Sequence, residues 1–153
     1  MLRLSRKTLL ALEAVIDIAY NARPQPVQAK EITARQGVPQ RYLEQVMQQL
    51  VRAGILKGVR GPRGGYRLAR ERRRISVGDV VRIAMALDTG EGQFDGGSEL
   101  GRRVVVPMIA DLQEDVMKKL DHISIEEICQ KARANGLDCG DAPTAAANAD
   151  FTI

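Results

Sequence analysis

The sequence predicts a mainly α-helical fold with one small β-hairpin and a long helix beyond it. Three observations carry that expectation. Apolar residues recur at helical spacing through most of the chain. The pattern changes at 55–69, where two short β-prone runs flank Gly61-Pro62-Arg63-Gly64-Gly65. Further on, Val105, Ile109, Leu112 and Val116 recur at spacings of 4, 3 and 4 over an uninterrupted helical stretch.

Taken in order, Ser5 can cap a first helix running to about residue 22, with Leu9, Leu12, Ile16 and Ala19 on one face. Pro24 and Pro26 break the chain. A short helix over 28–36 turns Ala29 and Ile32 inward, and Gly37 ends it. Pro39 suits the first turn of the next helix, 39–53, where Leu43, Val46, Met47 and Leu50 form one stripe. Two helices joined by a short glycine-containing turn form the helix–turn–helix pattern. Strands at 55–60 and 66–69 would make a hairpin, the wing. A basic run, Arg70 to Arg74, leads into a helix capped by Ser76 and Asp79, with Val80, Ile83, Ala84 and Leu87 as its expected buried residues. Residues 88–101 read as a loop, with glycine at 90, 92, 96 and 97. The long helix spans 103–121, and Ser124 with Glu127 caps a last one that ends near 134. The fold class is therefore mainly α with a small β-hairpin wing: a winged helix–turn–helix plus a long dimerisation helix. The expected units are 1–87, the winged helix–turn–helix; 88–101, the glycine-rich loop; 102–134, the dimerisation helix and closing helix; and 135–153, a small, polar tail expected to be disordered.

Charge is segregated along the chain. Residues 1–75 hold 16 Lys and Arg against 5 Asp and Glu, a charge of +11, and the remainder carries −7. A basic half attracts a polyanion, and an acidic half should point away from it. Aromatics are only 3% of residues, with no Trp, too few for a platform that stacks single-stranded bases. Duplex DNA is the fitting partner.

The polar face of the third helix carries Gln40, Arg41, Glu44, Gln45 and Gln48. Gln can pair with adenine through two hydrogen bonds, Arg with guanine, and Glu can accept from cytosine. The wing adds Lys57, Arg60, Arg63 and Arg67 on a hairpin thin enough for a minor groove. These glycines do not form a phosphate loop, because the Gly-x-x-x-x-Gly-Lys-Ser/Thr pattern is absent. The seam at 105–116, with Leu120 beyond it, suits a second copy of the chain, although an amphipathic helix packed on its own domain has the same spacing.

An enzyme is not indicated. There is one histidine, His122, and no metal-ligand spacing or nucleophile–base set is visible. No catalytic residue, metal ligand or cofactor is therefore expected. Leu9 to Tyr20 is interrupted by Glu13 and Asp17, which suits neither a signal core nor a bilayer, so the cytoplasm is expected. Cys129 shares a helical face with Ile125 and reads as a small buried hydrophobe, whereas Cys139 falls in the tail. The two remain the candidates for a redox pair, and an unidentified protein or small-molecule effector stays open as a partner.

Several runs resemble one known family. Val59 to Leu68 resembles the wing signature of the Rrf-two family of bacterial winged-helix transcription regulators. Tyr42-Leu43-Glu44-Gln45 is similar to its recognition-helix motif, Ala53-Gly54-Ile55-Leu56 to its helix-to-wing junction, and Ile123 to Ile128 to the segment closing its dimerisation helix. The resemblance covers about 4–128. It implies a homodimer on a partly palindromic operator, acting as a repressor. It puts the recognition helix in the major groove through Pro39, Gln40, Arg41, Tyr42, Glu44, Gln45 and Gln48, and the wing's Arg60 and Arg63 at the minor groove. Glu44 stands where some members tune base preference.

Two departures stand out. Many members begin Lys-Gly-Arg-Tyr-Ala, whereas here the run is Lys7-Thr8-Leu9-Leu10-Ala11. Lys7 can still contact phosphate, but Leu9 cannot replace a cation. Cluster-binding members carry three cysteines, often with a nearby histidine, between the fourth and fifth helices. From Asp88 to Val106 this chain has neither, and Arg103 and Val106 fall about where a cysteine and the histidine would be. Thiolates hold such clusters, so the expectation is a regulator without the family's iron–sulfur cluster.

Overall fold

The computed structural model describes residues 4–22, 24–88 and 95–137. Helices α1 (Arg6–Tyr20), α2 (Ala29–Gln36) and α3 (Gln40–Arg52) lead into strands β1 (Leu56–Val59) and β2 (Gly65–Leu68). A single 3-10 turn, Arg72–Arg74, precedes α4 (Val77–Ala86), and α5 (Val106–Asp121) and α6 (Ile125–Ala134) complete the order. Residues 89–94 of the expected loop and 138–153 of the expected tail lie outside the described residues.

The caps form as the side chains dictate. Ser5 Oγ accepts from the Thr8 amide at 3.2 Å and starts α1. Ser76 and Asp79 cap α4 reciprocally, each bond 3.0 Å long. Ser124 and Glu127 do the same for α6.

The core gathers one face of every helix except α5. Leu43, Val46, Met47 and Leu50 of α3 are buried against Ala11, Ala14, Val15 and Ile18 of α1 and Val80, Val81 and Ala84 of α4. Ile125 and Cys129 of α6 close the same cluster. In α1 the inward face differs from the expected stripe. Leu9 is 48% exposed, Leu12 and Ile16 are half-buried, and Thr8, Leu10 and Ala11 point in instead. α1 is apolar around most of its circumference, so periodicity alone does not single out its core face.

The hairpin pairs Leu56 with Leu68 and Val59 with Gly65 in antiparallel register. A third short segment joins it. Val27 and Tyr66 exchange two backbone bonds, 3.0 and 2.8 Å, tying the α1–α2 connection to the wing. A Cβ at position 65 would run into the Val27 carbonyl, so glycine is what lets the two backbones meet.

α5 differs from the other helices in having no buried residue. One wider π-type turn, Gly101–Val105, leads into it, and Pro107 stands in its first turn. Only Met117 and Leu120 near its far end pack against the core. Leu120, which the sequence places with the seam, is half-buried against the core, because the end of α5 that carries it lies on α4.

Replacing Gly65 by Ala should lower stability by about 1–3 kcal/mol, through loss of the Val27–Tyr66 bridge. Urea unfolding followed by circular dichroism measures it, and an unchanged midpoint would show that the bridge contributes nothing.

Candidate nucleic-acid interface

α3 is held by its buried stripe, which leaves the opposite face in solvent. Pro39, Gln40, Arg41, Gln45 and Gln48 are exposed, and Tyr42 and Glu44 are half-exposed. Gln40 Nε2 donates to Glu44 Oε1 at 2.9 Å, so these two side chains are ordered against each other one turn apart. Tyr42 packs its ring against the core.

Lys7, Tyr42, Gln45 and Gln48 come together around one cleft of about 240 Å³ between α1, α3 and the end of α4. Gln49 and Leu87 line the same cleft. Sequence reasoning did not single out Gln49, although its place four residues after Gln45 was the available signal. Lys7 lies 3.9 Å from Asp88, a loose pair with both side chains more than a third exposed. Such a contact contributes little and yields readily to a phosphate.

The wing tip is bare. Lys57, Val59, Arg60, Gly61, Pro62 and Arg63 are all exposed. Gly61 turns the tip at φ +114, a backbone angle that glycine adopts without strain. Among the described residues, Arg41, Arg60 and Arg63 enter no ion pair. Cations left unpaired at a protruding tip are available to an external anion. Arg67 is not one of them, because its guanidinium donates to the Pro24 carbonyl and braces the hairpin against the α1–α2 connection. Wing and recognition helix are also electrostatically linked. Burial raises the Tyr66 hydroxyl pKa, and the Glu44 carboxylate adds to the shift.

Residues 88–106, leading into α5, contain no cysteine or histidine. The Gly96 and Gly101 backbones are in direct contact, such that a Cβ on Gly101 would overlap the Gly96 carbonyl. Ser98 Oγ accepts from the Gly101 amide at 3.1 Å. Iron–sulfur clusters are held by thiolates, and this segment carries none. Cys129 is fully buried in the core on α6, and desolvation raises its thiol pKa. Cys139 lies outside the described residues.

The buried thiol gives a direct expectation. In a Cys139→Ser chain, Cys129 should react with a disulfide reagent at least about a hundredfold more slowly in buffer than in denaturant. Comparable rates in the two conditions would remove the argument that Cys129 is structural.

Comparison with known proteins agrees with this geometry. A family profile, Rrf2, described as an iron-dependent transcriptional regulator, matches residues 4–131. The HTH-type transcriptional regulator IscR of Xenorhabdus nematophila is 35% identical over 129 residues, which is 83% of this chain and 79% of the relative. IscR of Klebsiella pneumoniae is 33% identical over the same shares. Among solved structures, IscR of T. potens superposes with a TM-score of 0.71 at 32% identity, over 91% of this chain and 94% of that one. CymR, the global cysteine regulator of B. subtilis, superposes with a TM-score of 0.65 at 30% identity, over 86% and 98%. With its helix–turn–helix, its bare wing and these relatives, the chain belongs to the Rrf2, or Rrf-two, family and is a winged-helix, DNA-binding transcription regulator.

Proposed function

We propose that this regulator acts as a homodimeric repressor in the cytoplasm, on a partly palindromic operator, without an iron–sulfur cluster and without catalysing a reaction. The observation that carries the dimer is the seam on α5. Val105, Ile109, Leu112 and Val116 are 38–47% exposed on one helix, while the other helices bury their apolar stripes. Four large apolar side chains in a row along α5 and the turn that leads into it, with Met108 exposed beside them, favour a second, identical helix. In this reading α3 enters the major groove through Gln40, Arg41, Gln45 and Gln48. Arg60 and Arg63 reach the flanking minor groove, and Lys7 and Tyr42 meet the backbone. Glu44, held by Gln40, is the acceptor that discriminates among bases.

The absence of cluster ligands supports a reading in which DNA binding does not depend on a bound cluster. The signal, if it is chemical, then comes from another source than iron–sulfur chemistry at residues 88–106.

On a duplex selected from a random pool by the wild-type protein, Arg60→Ala should weaken binding by about 1–3 kcal/mol, roughly five- to 150-fold. Fluorescence anisotropy reads it, and unchanged affinity would remove the wing from the interface. Ile109→Glu should convert the protein to a monomer in sedimentation and weaken its hold on the full site by more than about tenfold. A sedimentation profile like the wild type would show that α5 is not the seam.

A further inference from the structure

Asp121 is the last residue of α5, where the helix dipole disfavours an acid. It is held there from α4. Arg82 Nη1 donates to Asp121 Oδ1 at 2.6 Å and Nη2 to Oδ2 at 2.5 Å, a two-point grip. One turn earlier on the same face of α4, Gly78 lies against the same carboxylate. A Cβ at position 78 would overlap the carboxylate oxygen and would sit 3.0 Å from the Asp121 backbone nitrogen. Just beyond, the Val77 amide donates to the Ile123 carbonyl at 2.8 Å, and the Ile125 amide to the Ile75 carbonyl at 2.9 Å. The C-terminal end of α5 is thus clamped to the N-terminal half of α4, which itself packs on α1 and α3. From residue 102 to 116, Val106 is the only side chain that is even half-buried.

This makes α5 a lever fixed at one end. Its 16 residues are about 24 Å long at 1.5 Å each. A swing of about ten degrees at the joint moves the free end by about 4 Å, close to the roughly 3.4 Å that one base pair adds along a duplex. The seam that would pair two copies lies on the free part of the lever. The angle at the joint therefore sets how far apart, and at what rotation, two recognition helices stand.

We propose that Arg82, Asp121 and Gly78 are positioning residues that set the half-site spacing this regulator accepts. The proposal rests on the homodimer reading above. The two backbone bonds hold the α5–α6 turn in place, while the two-point grip and the close Gly78 contact fix the direction of the helix axis. Arg82 is half exposed and Asp121 a third exposed, so the pair contributes little to stability. Its removal should change geometry and leave the fold intact.

The test uses the full chain and duplexes selected from a random pool by the wild-type protein. Their central spacer is then lengthened or shortened by one or two base pairs, and an isolated half-site is included. The wild type should lose about tenfold or more in affinity for each base pair away from the optimum, comparable to a mismatched contact. Asp121→Asn and Gly78→Ala, which disturb the joint from its two helices, should flatten that profile to within about threefold. Both should keep the wild-type half-site affinity and the wild-type dimer in sedimentation. Arg82→Lys, which keeps the charge without the two-point grip, should fall between. Variants that keep the wild-type spacing profile overturn the joint alone. A wild-type chain that is monomeric, or whose profile is already flat, overturns the homodimer reading and the joint with it.

Discussion

One helix has to serve two environments, and the rest of the structure is arranged around it. α3 buries Leu43, Val46, Met47 and Leu50 to 2% exposure or less. Burying four such side chains is worth roughly 6–12 kcal/mol as an upper figure, at about 1.5–3 kcal/mol each. That anchors the helix so firmly that its other face can be given over to glutamine and arginine held in solvent. The chain then runs directly from this helix into the hairpin, with Ile55 and Leu56 buried at the junction. The wing is consequently fixed relative to the recognition face, and Tyr66 and Glu44 sense each other across it. A binding surface that is rigid before it meets its ligand loses less entropy on association.

Much of this was legible in the sequence because the signals are local. The α3 stripe, the reciprocal caps at Ser76 and Ser124 and the glycine-flanked wing each depend on residues a few positions apart. What escaped depends on contacts distant along the chain. Val27 lies between two prolines and a helix, and nothing nearby marks it as a strand partner of Tyr66. Arg67 counts as a free cation until Pro24 is found beside it. Leu9 fits an inward stripe on paper, yet α1 has apolar residues on several faces and the packing of α4 decides which one is buried. For the candidate interface the pattern is the same. The exposed residues of α3 follow from the buried ones by elimination, whereas the cleft joining Lys7 to Gln45 and Gln48 needs the tertiary fold.

The stretch between α4 and α5 carries no cysteine or histidine. In its described part the backbone closes on itself at Gly96 and Gly101, and Ser98 secures the start of the helix. Cys129 sits in the core, protected by desolvation. Among the described residues, the DNA-reading half and the far end of the long helix are joined through packing, the Arg82–Asp121 ion pair and the backbone bonds that flank it. Charge follows the same division. The cations gather on the winged half and the acids on the helical half, so a polyanion meets the first and is turned away from the second.

The central claim is that two copies of one surface, α3 with its wing, read one duplex. Chemical footprinting on a selected duplex tests it most directly, with guanine N7 methylation reporting the major groove and hydroxyl-radical cleavage reporting the minor. Two major-groove patches related by a dyad are expected, centred about one helical turn or a multiple of it apart, each flanked outside by minor-groove protection from a wing. A single patch without a dyad, or protection without groove preference, would contradict it.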